Sequence, residues 1–311
     1  MTTAPSSGAP PTILCIGMPV RDLVFRVADL PPRGGKVRAE HFDELAGGNA
    51  LNAAVGIVRL GGRAAFCGPM GDESETTASY IFDALARETI DASRVLRQAG
   101  AQTPISNIMI DPSGERTIVT YRDPKLWETT LPDAATLLKD CACVLTESRC
   151  ASFVTAHCVE ARKRGIPVVL DADNVMSLRE GLLQAASHLI FSEEALTATA
   201  GVTDLEGALR RVAGLTPSFV AVTRGPQGMT WLDDSGRIAQ MPTFPVHAVD
   251  TLGAGDVFHG AFALAVAENR SIADAMRFAS AAAALKCTRF GGAFAAPTRS
   301  EVEALIATAR S

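Results

Sequence analysis

Short apolar runs alternate with amphipathic helical stretches along most of the chain. Residues 13–16 (Ile-Leu-Cys-Ile) form a run too short for a helix and stopped by Gly17, which predicts a buried strand. Around Asn49 the period changes. Ala50, Leu51, Ala53, Ala54, Ile57, Val58 and Leu60 recur at helical spacing, closed by Gly61-Gly62, so a helix is expected there and a strand at 64–67. Helices are then predicted near 74–88, 152–164, 193–200 and 204–213. Strands are predicted at 105–110, 116–121, 143–146, 168–171, 189–192 and 219–223. This alternation implies a parallel sheet with helices on both faces.

Two stretches depart from it. Residues 18–45 and 103–123 carry polar alternation and read as extended, antiparallel-type segments, the second turning at Asp111-Pro-Ser-Gly114, a hairpin signal. Together they predict a small sheet beside the main one, the makeup of a lid. Residues 1–11, rich in Ser, Thr, Ala and Pro, read as a disordered tail. That leaves 12–311 as one domain.

Composition supports an α/β reading. Hydrophobic residues make up 47% of the 311, mostly Ala, Val and Leu, while aromatics are 5%, a mixture suited to helices packed on a parallel sheet. The net charge is −5 with no run of Lys or Arg, which speaks against nucleic-acid binding and against a polybasic membrane anchor. No apolar run approaches the roughly 20 residues of a membrane span. The N-terminal stretch has neither the basic nor the apolar region of a signal peptide. Seven cysteines, an odd number with no CxxC pair, argue for reduced thiols in a cytoplasmic protein and against a zinc site.

The chemistry concentrates at Asp250-Thr-Leu-Gly-Ala-Gly-Asp256, followed by the apolar run Val257-Phe-His-Gly-Ala-Phe-Ala-Leu-Ala-Val266. The small residues Gly253, Ala254 and Gly255 let backbone approach a ligand, and the helix that follows turns its first amides toward an anion. A carboxylate at the same place can accept a proton from a hydroxyl while the amides stabilise a transferring phosphoryl group. Read alone, Asp256 is equally an acid favoured by a helix N-terminus.

This segment resembles the second signature of the ribokinase/PfkB carbohydrate kinases. Gly47-Gly-Asn-Ala-Leu-Asn-Ala-Ala54 resembles the first. Both stand in the expected order, and the likeness runs from about Ile13 to Pro297. The resemblance implies a ribokinase-like α/β fold: a central, mainly parallel sheet with helices on both faces plus a small β-sheet lid. It implies phosphoryl transfer from ATP to a sugar hydroxyl, with Asp256 as general base and the amides of Gly253 to Asp256 as the anion hole. Asp22, Gly47, Gly48 and Asn49 are then the expected sugar contacts. Val222-Thr-Arg-Gly-Pro-Gln-Gly228 resembles the nucleotide-phosphate loop, giving Thr223, Gly225 and Gly228 to ATP. Ala283-Ala-Leu-Lys-Cys-Thr-Arg-Phe-Gly-Gly292 resembles the adenine-side helix and loop, giving Lys286 to the nucleotide. In many members that loop binds a monovalent cation through carbonyl oxygens, and potassium is left open here.

One departure stands out. The Asn-x-x-Glu motif that helps organise magnesium in the family is Ser192-Glu-Glu-Ala195 here. Mg²⁺ is still expected with ATP, but no protein ligand is assigned. The subgroup that looks nearest includes ketohexokinase and sulfofructose kinase, on the strength of Glu147-Ser-Arg149, Asp256-Val-Phe-His-Gly260 and the 284–289 stretch. Arg149 suits an anionic substrate, with Arg122 and Lys125 as further positive groups, so a ketose or an acidic ketose is the expected substrate. A structural salt bridge is the other reading of Arg149. Alternatives on the same fold are a nucleoside or phosphosugar kinase and a non-catalytic sensor. Protruding lid strands suggest a homodimer.

Overall fold

The computed structural model describes residues 9–72, 74–112 and 116–309. Residues 1–8 of the expected tail and 113–114 of the Asp111–Gly114 turn lie outside them.

Eight strands of the described residues form one sheet, ordered Ile238–Met241, Met229–Leu232, Phe219–Thr223, His188–Ser192, Val168–Ala172, Cys143–Glu147, Thr12–Ile16 and Arg63–Cys67. Every pairing from Phe219–Thr223 to Arg63–Cys67 is parallel, and the last two strands add an antiparallel edge. The strand period explains the layers: Ile13 and Cys15 feed one core while Leu14 and Ile16 feed the other, all fully buried. Helices Asn49–Arg59, Ala254–Ala267 and Ile272–Cys287 cover the first face. Ala151–Lys163, Glu193–Ala200 and Leu205–Ala213 cover the second. No helix of the described residues is long and apolar enough to cross a membrane.

Thr12–Ile16 pairs with Arg63–Cys67 on one side and Cys143–Glu147 on the other. The chain therefore reverses its direction of travel across the sheet here. In open α/β sheets a crevice opens at such a point, outside the carboxyl ends of the strands.

The small sheet is separate and four-stranded, ordered His41–Gly47, Val20–Arg26, Ile105–Ile110 and Arg116–Tyr121. Its central pairing, Val20–Arg26 with Ile105–Ile110, is parallel. The expectation of a wholly antiparallel arrangement is corrected there, because the two strands reach this sheet from opposite ends of a long excursion through the main domain. In its register Asp22 lies opposite Ser106, and Ser106 opposite Thr120. Side-chain alternation then puts Asp22, Ser106, Thr120 and the following Arg122 on one face, beside the buried Val24 and Ile108.

Candidate active site

The site forms where the crevice at the strand ends meets two helix N-termini. Glu147 ends one strand and Asp171 lies next to the end of its neighbour, paired in register. Asn49 begins the first large helix and Asp256 sits in the first turn of Ala254–Ala267.

Small residues bring those two helices together. Gly56 packs against Val257, and a Cβ on Gly260 would stand 2.4 Å from the carbonyl oxygen of Ala53. At that separation Asn52 reaches across and its Nδ2 donates to Asp256 Oδ2 at 2.7 Å. Asn49 holds two further acids, donating from Nδ2 to Asp171 Oδ2 and to Asp173 Oδ2, both at 3.0 Å. Gly48, which precedes it, has φ of 97° and would set a Cβ 2.2 Å from the Met18 carbonyl. Only glycine fits such a turn without displacing backbone. A Cβ on Gly47 would meet Asp22 Oδ2 at 2.0 Å, so its missing side chain leaves the space that the Asp22 carboxylate fills.

Helix Ala254–Ala267 has no side-chain cap, and its N-cap Gly253 is left-handed. The Ala254 amide bonds back to Thr251 O at 3.2 Å. The next amides, of Gly255 and Asp256, belong to the first helical turn and have no carbonyl one turn earlier in the helix. Gly255 is exposed and a Cβ there would meet nothing within 4 Å. The amides of Gly255 and Asp256 thus form an open, oriented pair of donors beside a carboxylate.

Electrostatics separates the acids. Burial, then the neighbouring Asp171, pushes Asp256 up to about 7, while the Asn52 bond and His259 act in the opposite direction. Asp171 is driven well above the ordinary carboxylate range by burial and by Asp173. Its Oδ1 lies 3.5 Å from His259 Nε2. His259 Nδ1 is 2.7 Å from the Gly255 carbonyl and so carries the hydrogen it donates there. Its Nε2 also lies 3.3 Å from the Ile190 carbonyl, and burial lowers the pKa of His259 while these carbonyls and Asp256 oppose the shift. Glu147 is raised by burial. One of its oxygens accepts from the Met18 amide at 3.1 Å, while the other, Oε2, is buried without a partner. Asp22, on the inner face of the small sheet, rises to about 6 through burial, with Ser106 and Arg122 opposing.

Sequence reasoning singled out Asp256, Asp22, Gly47, Gly48 and Asn49, and the structure brings all of them to this crevice. It missed Asn52, Asp171, Asp173 and Glu147 as members. Asn52 stood inside the first signature and Asp171 was visible as an acid ending an apolar strand. Which face each would meet depends on helix packing that one sequence does not display.

The cations fall differently. Arg149 Nη2 is 3.0 Å from Asp173 Oδ2 and 3.3 Å from Asn174 Oδ1, so the salt-bridge reading describes its place. Arg122 has no carboxylate within 4 Å among the described residues. Its pKa is lowered by burial and by the adjacent Arg149. Arg224 pairs with Glu193 at 3.0 Å, and Ser192 caps its helix by accepting from the Ala195 amide at 3.2 Å. Thr223 donates to the Phe191 carbonyl at 3.3 Å, and Gly225 faces open space with φ of 52°. Gly228 is required by strand packing, since a Cβ there would be 2.2 Å from the Met241 carbonyl. Lys286 was expected on the nucleotide side. It is fully buried against Asp250, because its stem runs through the core and its head meets the start of the glycine loop. No cluster of three His, Cys, Asp or Glu able to hold a metal occurs among the described residues. With Glu193 engaged by Arg224, Glu194 is the carboxylate of Ser192–Ala195 left to reach a hydrated magnesium ion.

Residues 11–299 match the family model described as pfkB family carbohydrate kinase. Ribokinase of Bacillus subtilis is 29% identical over 297 residues, covering 94% of this chain and 99% of that protein. Fructokinase of Klebsiella pneumoniae is 30% identical over 304 residues, covering 89% and 95%. The structure of Arabidopsis thaliana ribokinase complexed with ribose and ATP superposes with a TM-score of 0.85 at 26% identity, covering 96% of this chain and 99% of that one.

Proposed function

The chain belongs to the pfkB family of carbohydrate kinases and is a sugar phosphotransferase with the ribokinase-like fold, and from that premise we propose that Asp256 is the base of its reaction. The carrying observation is the Asp256 carboxylate held by Asn52 at 2.7 Å in the first turn of an uncapped helix. With its pKa near 7, Asp256 takes the proton from a sugar hydroxyl. The Gly255 and Asp256 amides, together with the helix dipole, stabilise the oxygens of the transferring phosphoryl group.

The sugar occupies the crevice beneath the small sheet, whose segments, about 18–45 and 103–123, act as a lid that excludes water. Residues 12–311 make up this one kinase domain. Asp22 accepts from sugar hydroxyls beside Gly47 and Gly48. The Asn49 amide is engaged by Asp171 and Asp173, so its part is to fix those acids. ATP lies along Thr223, Gly225 and Gly228, the side opposite the sugar. The Arabidopsis ribokinase complexed with ribose and ATP supports ATP as the phosphoryl donor. Mg²⁺ arrives with the phosphates and keeps several waters.

A ketose, or an acidic ketose, is the substrate class this site favours. Fructokinases stand among the relatives, as ribokinases do, and no carboxylate of the described residues lies within 4 Å of the Arg122 guanidinium. A sugar acid would supply one. The seven free thiols suit a reducing, cytoplasmic setting. Exposed Ile118, Val119, Tyr121 and Phe42 on the small sheet suit a homodimer through the lid.

The direct test is Asp256→Asn. It is expected to keep the fold and ATP binding while kcat falls roughly 10²–10⁴-fold, and near-native turnover would refute the assignment. A thermal-shift panel of ketoses, aldoses, sugar acids, phosphosugars and nucleosides, followed by turnover of each binder, separates sugar from nucleoside and phosphosugar kinases. Binding without turnover of any compound would instead indicate a sensor.

A further inference from the structure

The start of the glycine loop contains a buried positive charge that the reaction as described does not use. Lys286 is 0% exposed. Its Nζ donates to the Asp250 carbonyl oxygen at 2.7 Å and lies 3.2 Å from Asp250 Oδ2. The same Oδ2 accepts from the Gly291 and Gly292 amides, each at 3.1 Å, while Oδ1 accepts from the Leu252 amide at 2.9 Å. The amides of Val249 and Asp250 bond to the Cys287 carbonyl at 2.8 and 3.1 Å. One ammonium therefore joins the last turn of helix Ile272–Cys287, the Asp250 end of the glycine loop and the Gly291-Gly292 turn. The loops touch again three residues on, where a Cβ on Gly253 would stand 3.0 Å from the Ala293 amide nitrogen.

A primary ammonium and a dehydrated potassium ion are similar in size, carry the same charge and prefer the same ligands, carbonyl and carboxylate oxygens. Here those oxygens are occupied by a side chain. Burial lowers the pKa of Lys286 and the Asp250 carboxylate opposes that shift, as expected for a desolvated cation kept charged by its partner. The residues present therefore do not fit a resident monovalent cation at Asp250.

We propose that Lys286 is a tethered substitute for the monovalent cation that the family resemblance associates with this loop, so that the chain carries the cation covalently and needs no potassium. In this role Lys286 is a positioning residue. It neutralises Asp250 and fixes the path of Thr251 to Gly253, and so sets the direction of the amides at Gly255 and Asp256. The inference rests on the kinase reading only for its effect on turnover. Its effects on stability and ion binding are independent of any substrate.

The experiment compares wild type, Lys286→Ala and Lys286→Met at constant ionic strength, with choline chloride replaced stepwise by potassium chloride. Wild type is expected to show the same Tm and turnover throughout. Lys286→Ala leaves Asp250 unpaired and opens a space. In choline its Tm is expected to fall by roughly 5–15 °C, and potassium or rubidium, but not lithium, restores most of the loss. Thallium(I) NMR should then show an ion bound to Lys286→Ala and none bound to wild type. Lys286→Met fills the space without charge and should be insensitive to potassium. A wild-type Tm or turnover that rises with potassium would overturn the proposal. So would a folded Lys286→Ala that binds no thallium and is not rescued. If Lys286→Ala does not fold in any salt, the wild-type titration and thallium measurement decide alone.

Discussion

Replacing Asn52 by Ala is the sharpest available perturbation of the proposed base. Asn52 Nδ2 donates to Asp256 Oδ2 at 2.7 Å, and this bond favours the ionised carboxylate over the protonated one. A hydrogen bond to a charged group contributes ~1.5–3 kcal/mol. Water entering the crevice can partly replace the donor, so the lower end applies, about 1.5 kcal/mol, or roughly one pKa unit. Asp256 stands at about 7 in the intact protein, and the variant should therefore titrate near ~8. The base works only when ionised, so kcat/KM rises with pH through this value in both proteins. At neutral pH the shift alone costs about fivefold, and lost orientation adds a decrease that persists at high pH. The assay is kcat/KM against pH with the best sugar of the panel, at saturating Mg-ATP and constant ionic strength. A limb that stays within about 0.3 unit of wild type would refute the link between Asn52 and Asp256. A wild-type limb at about 6 would hand control to Asp22.

Other perturbations probe the rest of the site. Asp171, whose folded-state pKa is raised by burial, contributes stability at low pH that is lost as pH rises above the ordinary carboxylate range. Asp171→Asn should therefore gain Tm relative to wild type as pH rises, with the two converging near about pH 4 in thermal melts; a constant difference would contradict a protonated Asp171. Arg122→Gln should lower kcat/KM for a sugar acid relative to D-fructose by roughly ten- to a hundredfold, whereas equal losses for both would move Arg122 from the substrate acid to the phosphoryl group. Gly260→Ala sets a Cβ 2.4 Å from the Ala53 carbonyl; it should cost ~1–3 kcal/mol in a urea melt and lower kcat more than KM, because it moves Asn52 away from Asp256. Sedimentation at micromolar concentration should show a dimer that Val119→Glu dissociates, and a monomeric wild type would contradict lid pairing.

Much of the fold was legible because its signals are local. The apolar runs ending at Gly17, Asp171 and Thr223 have the length of buried strands, and the helical period after Asn49 is unbroken to Leu60. The edge strands Met229–Leu232 and Ile238–Met241 were missed, each being four residues with too little repetition to show a period. The parallel pairing inside the small sheet is a fact of three-dimensional return that the alternation of polar and apolar residues does not encode. The same limit applies at the site. Asp256 and the glycines were readable because backbone requirements are specific to residue type. The partners Asn52 and Asp171 depend on how closely two helices approach, which Gly56 and Gly260 decide. Lys286 shows the same limit, since its place in the sequence does not reveal that its stem is fully buried and its head meets Asp250.

That last point bears on how a crevice rich in acids can receive a polyanion. Asp22, Glu147, Asp171, Asp173 and Asp256 all line or back it, and if all were ionised they would oppose phosphate at any salt concentration. The structure reduces that charge group by group. Burial raises Asp171 and Glu147, so the deepest acids hold their protons more tightly. Arg149 neutralises Asp173. Lys286 neutralises Asp250 at the root of the glycine loop. What remains near neutral pH is Asp22, raised to about 6, and Asp256, balanced between its two protonation states at about 7, the latter beside amides whose partial charges do not titrate. A residual acid of that kind is suited to taking a proton and poorly suited to repelling a phosphate for long, since proton transfer from the sugar hydroxyl removes its own charge. On the proposed mechanism the burial of these acids is part of the chemistry: opening the site to water would ionise them together with Asp256 and weaken the attraction for ATP.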